Sequence, residues 1–499
     1  MKDYILAIDI GTSGAKLLLL NKRTGGYFAR SEGYPTYTPS AAMAEHDPAQ
    51  WYEAVKRGVP ALLAESGVAA EEICAIGVDG ISWTPVPVDE NGDVLCRAPI
   101  WYDTRASEEC RRMDEEFGED TFFGVSGNPN QPYYIYPKLK WLIGHNVLDP
   151  EKIRKVLSCN GYIVYRLTGV FTHDMCQAYG WCFFDMKNGR WDVQLAERLG
   201  VDPGWLPELY ECTQIAGGLT AKAADECGLR AGIPVVAGGL DAACGAAGAG
   251  VIAPGITHEQ SGSAGGMSIC DNDYRPVKGL ILSRHVVPGV FLLQGGTVGG
   301  GGLVNWIGPV LFPDGAGMDK NARREELTRL AASAPAGSGG VTFLPYMAGE
   351  RSPIWNPFAK GVWYGLDYTA GRAHMARSLL EGAAYALNHN LEAAREQGIS
   401  IGMMRAVGGA SANALWMQIK ADVTGESICA IASPETTATG CAVMAGVGCG
   451  EFASFAEAAE RFVKIGRVYT PDPANREVYR EGYERYLSVY RNLAPMMKG

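Results

Sequence analysis

The stretch YILAIDIGTSGAKLLLLN (residues 4–21) sets the expectations for the fold. A short apolar run is closed by the turn-forming residues GTSG, and a second apolar run follows at once. By propensity alone AKLLLL could open a helix. We expect a strand instead, because NKRTGGYFARSEGYP then supplies a turn and a further alternating segment. This order is typical of a meander of strands.

Further elements follow along the first half of the chain. Residues 47–66 predict a helix with Asp47 at the N-cap and proline directly after it. Residues 71–80 read as a buried strand, and residues 84–95 as a hairpin that turns at Glu-Asn-Gly. Residues 232–251 predict a strand, a turn and a helix of small residues.

Strand–glycine-turn units recur in the second half of the chain. They include SGSAGG (261–266), GGTVGGGG (295–302) and AVGGASANALWMQIKADVTG (406–425), each after an apolar run. Helices are interleaved with these units in both halves. The pattern predicts two α/β domains of related design, joined close to residues 245–255, with a ligand cleft between them.

Composition narrows the class of protein. The 499 residues suggest two domains, and 47% apolar with 20% charged residues is typical of a soluble globular chain. A net charge of −11 without a basic run argues against nucleic acid as a partner. No signal peptide or membrane span is recognisable. The thirteen cysteines contain no CxxC pair, so we expect free thiols and a cytoplasmic location.

The first glycine turn has the residues of a phosphate-binding loop. In DIGTSGAK, small residues let backbone N–H groups approach a phosphate, Thr12 and Ser13 add hydroxyl donors, and Lys16 adds a cation. Asp9, at the end of the strand, could hold hydrated Mg²⁺. The loop is neither a Walker A nor a Rossmann motif, and alone it could be an ordinary turn. Four such loops together favour a phosphate-binding cleft.

Asp241 has two interpretations. It follows Gly-Gly-Leu and precedes a helix, so it could simply be an N-cap. It could also lie at the floor of the cleft and accept a proton from a hydroxyl that attacks a γ-phosphate. One residue could serve both roles.

A group of aromatic and charged residues could bind a polyhydroxylated substrate. Aromatic faces stack on C–H groups, and carboxylates and guanidinium groups bind hydroxyls. The candidates are Asp79, Trp83, Trp101, Asp103, Arg105 and Tyr133. Core packing is the alternative for each aromatic residue, and a structural ion pair is the alternative for Asp103 and Arg105.

Seven segments together resemble the FGGY carbohydrate kinase family over nearly the whole chain. In order they are DIGTSGAK, RAPIWYDTR, PKLKWL, YIVYRLTGVFTHD, GGLDAACGAAGAGVIAPG, LPYMAGERSP and GGASANALWMQIKADVTG. The resemblance implies an α/β fold of two ribonuclease-H-like domains of the actin/hexokinase type, with a cleft between them. The expected domains are residues 1–247, for sugar and the first phosphate loop, and 248–499, for nucleotide. The implied activity is phosphorylation of a sugar or polyol by ATP with Mg²⁺.

The resemblance also implies roles for single residues. Asp241 would be the general base, and it and Tyr133 would contact the sugar. Asp9 would lie in the Mg²⁺ region. The remaining matches are nucleotide positions: Thr12, Ser13 and Lys16 at the phosphates, Ser263, Gly301 and Asn305 in the second domain, and Gly409 and Asn413 near the adenosine.

Departures from family patterns bear on the substrate. Xylulokinases usually carry a GQMH-like stretch and glycerol kinases an NQRE-like stretch where this chain has GISW (80–83). The segment GVDGISWTPVPVDENG is similar to that of ribulokinases, whereas APIWYDTR and the length look more like xylulokinases. A pentulose, either xylulose or ribulose, fits both, and glycerol is disfavoured.

Several alternatives remain open at this stage. The substrate could be another polyol, a tetrulose or an aldonate such as gluconate. The fold could also serve an actin-like nucleotide-dependent switch, or a sugar sensor without turnover. A homodimer is one assembly that the sequence allows.

Overall fold

Two seven-stranded sheets, one in each half of the chain, form the framework. The computed structural model describes residues 2–312, 319–433 and 435–498. The strands within these ranges are β1 Tyr4–Ile10, β2 Gly14–Asn21, β3 Tyr27–Gly33, β4 Glu45–His46, β5 Ile73–Gly80, β6 Val86–Val88, β7 Ala98–Pro99, β8 Lys155–Leu157, β9 Thr172–Asp174, β10 Phe184–Asp185, β11 Arg190–Trp191, β12 Glu208–Tyr210, β13 Ile215–Gly218, β14 Pro234–Val236, β15 Gly239–Leu240, β16 Ile256–Ser261, β17 Gly265–Asp271, β18 Ile281–Arg284, β19 Phe291–Thr297, β20 Thr342–Leu344, β21 Val362–Tyr364, β22 Met403–Val407, β23 Ile428–Ile431 and β24 Ile465–Tyr469.

Helices cover the sheets and link the two halves. Those in the described ranges are α1 Pro48–Ser66, α2 Ser107–Phe117, α3 Glu119–Ser126, α4 Ile135–Gly144, α5 Cys159–Thr168, α6 Val193–Arg198, α7 Ala221–Cys227, α8 Asp241–Gly248, α9 Gly301–Leu311, α10 Lys320–Ala332, α11 Arg372–Arg395, α12 Ala414–Thr424, α13 Thr436–Gly448, α14 Phe455–Phe462 and α15 Arg476–Leu493. Among the residues described, no helix combines the length and apolar character needed to cross a bilayer.

The N-terminal sheet grows from the opening stretch of the chain. Its strands run in the order β13-β14-β5-β1-β2-β3, and β15 also pairs with β5. Strands β1, β2 and β3 form the expected antiparallel meander, so AKLLLL is a strand, as predicted. Both β1 and β15 pair in parallel with β5, and Asp79 is opposite Asp9 on one side and Gly239 on the other. The carboxyl ends of three strands therefore meet at one edge.

The C-terminal sheet repeats this plan. Its order is β18-β19-β17-β16-β22-β23-β24, with β16 antiparallel to β17 and parallel to β22. Each sheet thus has an antiparallel meander whose first strand pairs in parallel with a later strand. The prediction of two α/β domains of related design is confirmed.

Helices α8 and α13 join the two halves by crossing at very close range. A Cβ added to Gly248 would lie 1.8 Å from the carbonyl oxygen of Thr436, and one added to Gly440 would lie 1.9 Å from that of Cys244. Around this crossing, one apolar cluster takes in residues of both sheets. The boundary at 247/248 falls inside this cluster and stays a prediction.

Two local predictions for the N-terminal half are confirmed. The helix expected at 47–66 is α1, and the Asp47 side chain caps it by accepting a 3.0 Å hydrogen bond from the N–H of Ala49. The hairpin expected at 84–95 is confirmed: Val88 and Val94 form an antiparallel bridge, and the N–H of Asp89 donates a 3.0 Å hydrogen bond to the carbonyl oxygen of Asp93. The buried strand β6 also pairs with β8, about seventy residues later in the chain, which the sequence did not indicate.

Candidate active site

Three carboxylates gather at the edge where β1, β5 and β15 end. Asp9 lies on β1, Asp79 on β5 directly opposite it, and Asp241 begins α8 just after β15. Asp9 and Asp241 are half-buried, whereas Asp79 is completely buried. The N-cap of α8 is Leu240, so Asp241 does not serve as the cap; its Oδ1 accepts a 2.6 Å hydrogen bond from the N–H of Ala242. Parallel strand pairing therefore builds an acidic site.

Burial makes these carboxyl groups weaker acids. It raises the pKa of Asp241 to about 7, and the charge of Asp9 contributes further. It also raises the pKa of Asp9 to about 6, although Asp79, which can share a proton with it, and Lys16 act in the opposite direction. The pKa of Asp79 is raised well above its ordinary value, first by burial and then by Asp9. A carboxylate with a pKa near neutrality is suited to accept a proton.

The donor atoms of this acidic group fit a divalent cation. Neither carboxylate oxygen of Asp79 has a hydrogen-bond partner among the described residues. Asp9, its neighbour, is partly open to solvent. Hard carboxylate oxygens are the ligands that Mg²⁺ prefers, together with water and phosphate. A carboxylate oxygen of Asp79 lies within 4.8 Å of the sulfur atoms of Cys244 and Cys441 at the helix crossing, so this residue lies in the interior.

The first glycine turn lies between β1 and β2, beside the acidic group. Trp101 donates a 3.0 Å hydrogen bond from Nε1 to Oγ1 of Thr12, while Ser13 is exposed at the tip. Lys16 Nζ lies 2.6 Å from a carboxylate oxygen of Glu435, the residue before α13. Burial lowers the pKa of Lys16, but its bond to Glu435 outweighs this and raises it. The predicted phosphate cation is therefore paired with an acid from the other half of the chain.

A cavity of about 730 Å³ lies on the C-terminal sheet. The five nucleotide positions expected from the sequence in this half of the chain all line it. They are Ser263, Gly301, Asn305, Gly409 and Asn413. The structure brings together residues up to 150 positions apart, as the sequence analysis expected. A cavity of this size can hold a nucleotide-sized ligand.

Glycine is needed where the loops around this cavity touch. Gly408 has φ 91°, and a Cβ on it would lie 2.7 Å from the carbonyl oxygen of Ser261. The N–H groups of Gly301 and Gly302 donate to the carbonyl oxygens of Gly262 and Ser263 at 2.7 and 2.9 Å. The loop after β16 and the start of α9 are thus locked to each other, which leaves the cavity wall preformed.

Polar side chains hold the rest of the cavity wall. Asn413 caps α12 by accepting a 3.1 Å hydrogen bond from Trp416 N–H, and its Nδ2 donates to Thr328 at 2.8 Å. Asn305 Oδ1 accepts a 3.1 Å hydrogen bond from Arg324. Arg324 also lines the cavity and brings a positive charge that the sequence analysis did not single out.

Trp83 and Tyr133 form an aromatic wall together with a third ring from the C-terminal half. The ring centroids of Trp83 and Tyr133 are 5.3 Å apart, and Tyr133 stacks on Trp355 at 6.4 Å and 23°. Trp83 also meets Tyr179, on which the charge of Asp241 acts. The hydroxyl group of Tyr133 is buried without a hydrogen-bond partner among the described residues. A wall of this kind suits the C–H face of a polyol.

Trp355 and Arg351 were missed by the sequence analysis. Arg351 lies in LPYMAGERSP (344–353), a segment quoted above only for the family resemblance, and Trp355 is the second residue after it. The guanidinium group of Arg351 packs on Gly296, its charge acts on Tyr133, and it has no hydrogen bond or ion pair with another described side chain. A guanidinium group without a described side-chain partner, beside an orphan hydroxyl group, is suited to bind a ligand rich in oxygen.

Asp103 lies apart from this wall. Both of its carboxylate oxygens accept hydrogen bonds within the protein. Oδ2 accepts one from the N–H of Ala44 and one from Arg105, each at 2.7 Å. Oδ1 accepts one from Nε of Arg105 at 2.9 Å. Arg105 in turn contacts Glu45 at 2.8 Å. This is the structural ion pair that the sequence left open as an alternative. Asp79, also expected to bind substrate, is buried beside Asp9 and does not reach the aromatic wall through any contact described.

Comparison with known proteins gives a consistent result. The models for the N-terminal and C-terminal domains of the FGGY family of carbohydrate kinases match residues 4–248 and 265–449. The chain is 29% identical to a xylulose kinase of Staphylococcus epidermidis, over 98% of its length and 97% of that protein. It is 30% identical to a glycerol kinase of Citrifermentans bemidjiense, over 98% of both. The crystal structure of xylulose kinase from Rhodospirillum rubrum superposes with a TM-score of 0.92 at 28% identity, covering 99% of both chains.

Proposed function

Because the chain belongs to the FGGY family of carbohydrate kinases, and so has the ribonuclease-H-like fold of the actin type, we propose that it transfers the γ-phosphate of ATP to a hydroxyl group of a pentulose. The observation that carries this proposal is the position of Asp241. It is a half-buried carboxylate with a pKa raised to about 7, it begins a helix at the acidic edge, and its charge acts on Tyr179, a buried residue whose ring meets Trp83 of the aromatic wall. The relatives named xylulose kinase favour xylulose over ribulose.

In the proposed reaction, Asp241 accepts the proton of the attacking hydroxyl group. The sugar oxygen forms a bond to the γ-phosphorus as the bond from that phosphorus to the β-phosphate oxygen breaks, and ADP leaves with the electron pair. Phosphoryl transfer of this kind needs positioning and charge neutralisation more than covalent help. Lys16 and the N–H groups of its glycine turn are the donors that the N-terminal half offers to the phosphates.

Mg²⁺ would be held by Asp9, with Asp79 as its buried neighbour. When bound, it would neutralise charge on the β- and γ-phosphates. ATP itself would take the cavity on the C-terminal sheet, with Asn305 and Arg324 near its polar end and Gly409 and Asn413 near the adenosine. Support comes from the lining of the cavity, which contains all five nucleotide positions implied for this half of the chain.

The sugar would lie against Trp83, Tyr133 and Trp355. Arg351 and the Tyr133 hydroxyl group offer unpaired donors for its oxygens. Since these residues come from both halves of the chain, sugar binding would draw the halves together and exclude water from the phosphate. An aldonate is the second candidate, and the observation that favours it is the unpaired guanidinium group of Arg351, which would suit a carboxylate.

A coupled assay of ADP release tests the proposal. The panel should hold xylulose, ribulose, a tetrulose, glycerol and gluconate at equal concentration. We expect the greatest kcat/KM with a pentulose. A preference for gluconate would select the second candidate, and hydrolysis of ATP that no sugar stimulates would favour a switch protein instead.

An Asp241→Asn variant tests the proposed base. It should lower kcat by about a thousandfold or more while leaving ATP binding nearly unchanged, since general-base and positioning effects are both lost. The matched control is Asp225→Asn on the exposed surface of α7, which should keep the activity of the wild type.

A further inference from the structure

A buried hydrogen-bond network lies behind both the proposed base and the aromatic wall. Its members are Asn160 on α5, Asp174 at the end of β9, and Cys176 and Gln177 just after it. All four are completely buried. None of them reaches the cleft, and the mechanism proposed above does not use them.

One arm of the network runs through Cys176 to β15, the strand directly before the proposed base. The Cys176 thiol donates to Oδ1 of Asp174 at 2.8 Å, and its sulfur accepts a 3.0 Å hydrogen bond from the backbone N–H of Leu240. Leu240 ends β15 and directly precedes Asp241. A Cβ on Gly239 would lie 3.2 Å from the same sulfur, so the thiol is packed tightly against this strand.

The other arm runs through Gln177 to the aromatic wall. Its Nε2 donates to Oδ2 of Asp174 at 3.0 Å and to Oδ1 of Asn160 at 2.6 Å. Its Oε1 accepts a 3.2 Å hydrogen bond from the backbone N–H of Trp83. Trp83 has φ 50°, a left-handed conformation that costs free energy for a residue other than glycine. Such a conformation persists only where neighbours fix it.

Asp174 is the common anchor of both arms. Its carboxylate accepts four hydrogen bonds, from the Cys176 thiol, the backbone and side-chain nitrogens of Gln177, and Nδ2 of Asn160. A buried carboxylate is tolerated when it is satisfied in this way. Burial raises the pKa of the Cys176 thiol, which therefore keeps the proton that it donates.

We propose that Cys176 and Gln177 are positioning residues, the first for Asp241 and the second for Trp83, and that Asp174 fixes the distance between the base and the sugar-stacking ring. The proposal relies on the proposed function only for the roles of those two targets. Each arm has its own kinetic consequence, because displacing the base slows proton transfer whereas displacing Trp83 weakens sugar binding.

The Cys176 arm is tested with alanine and serine. Cys176→Ala should lower kcat about tenfold or more and leave the KM for sugar within about twofold. Cys176→Ser keeps a donor and an acceptor and should restore most of kcat. Cys227→Ala, at an equally buried thiol on α7, is the matched control and should keep the kcat of the wild type.

The Gln177 arm is tested with an apolar side chain of similar shape. Gln177→Met should raise the KM for sugar about tenfold with a smaller change in kcat. Sugar affinity measured by tryptophan fluorescence should weaken by the same factor. This measurement needs no turnover, so it tests the arm even if the enzyme proves not to be a pentulose kinase.

The following results would overturn the proposed positioning roles. If Cys176→Ala and Cys227→Ala have the same effect, or if serine fails to restore kcat, the thiol has no positioning role. If Gln177→Met lowers the amount of folded protein and leaves sugar affinity unchanged, the network is structural only. Thermal unfolding of each variant separates these cases.

Discussion

At the scale of single residues, the acidic edge shows how strand pairing creates reactivity. Asp9 and Asp79 are seventy positions apart, yet register places them opposite each other. Burial raises the pKa values of both and that of Asp241, and the charge of Asp9 raises those of Asp79 and Asp241 further. Buried carboxyl groups with raised pKa values destabilise the fold at neutral pH, and proteins retain them where a reaction requires such a group.

The pH dependence of the reaction rate should follow the ionisation of Asp241. The ionised carboxylate is the active form of a base, so kcat/KM for sugar should rise with pH through an apparent pKa of about 7 and then level off. Initial rates between pH 5 and 9 with saturating Mg²⁺ and ATP measure this. A profile that is flat from pH 5.5 upward would contradict the assignment of the base.

The stability of an Asp241→Asn variant should depend on pH in a defined sense. The pKa of Asp241 is raised to about 7 in the folded state, so the folded chain binds its proton more tightly than the unfolded chain. The folding stability of the wild type therefore decreases as the pH rises from about 4 to about 7, and the variant does not show this decrease. We expect the variant to be more stable by about 4 kcal/mol at pH 8 and no more stable at pH 4. Denaturant unfolding at the two pH values measures the difference, and equal differences at both would refute it.

At the scale of elements, the crossing of α8 and α13 links the base to the rest of the molecule. Asp241 is the first residue of α8, and Gly248 is its last. Because Gly248 and Gly440 bring the two helix backbones into contact, the position of α8 is fixed by α13. Small residues at this crossing allow the two helices to pack closely.

Adding a side chain at this helix crossing should lower the free energy of unfolding. In Gly440→Ala the new Cβ would meet backbone atoms of Cys244 and Gly248, which cannot move independently of α8. We expect a loss of about 3 kcal/mol in the free energy of unfolding together with a reduced kcat. The matched control is Gly124→Ala in α3, where a Cβ meets nothing within 4 Å and the change should be neutral or slightly stabilising. Equal effects of the two variants would show that the crossing is not tight.

At the scale of the whole molecule, side chains from both halves of the chain meet at the proposed site. Tyr133 stacks on Trp355, and Lys16 pairs with Glu435. The second contact places an acid beside the proposed phosphate cation. Binding of a triphosphate at Lys16 would have to overcome this acid.

Removing the negative charge of Glu435 should strengthen the binding of ATP. In Glu435→Gln, Lys16 loses its partner and the phosphates lose a repelling charge, so the KM for ATP should fall about threefold to tenfold. The KM for sugar should stay within about twofold. Because the pair is partly exposed, the effect should shrink in 0.5 M salt, where screening is strong. An unchanged KM for ATP at low salt would place the triphosphate away from this pair.

The opening meander, α1 with its aspartate cap and the two α/β halves could be predicted from local patterns of apolar and small residues, which a sequence displays directly. The five residues expected at the nucleotide were implied by the resemblance to the FGGY family, and they line one cavity. Packing determines the pairing of β6 with β8, the ion pair of Asp103, and the approach of Trp355 and Arg351 to Tyr133, and none of these could be predicted from the sequence. The reason is that a contact between distant segments depends on how the helices and sheets pack, and no local pattern records the partner.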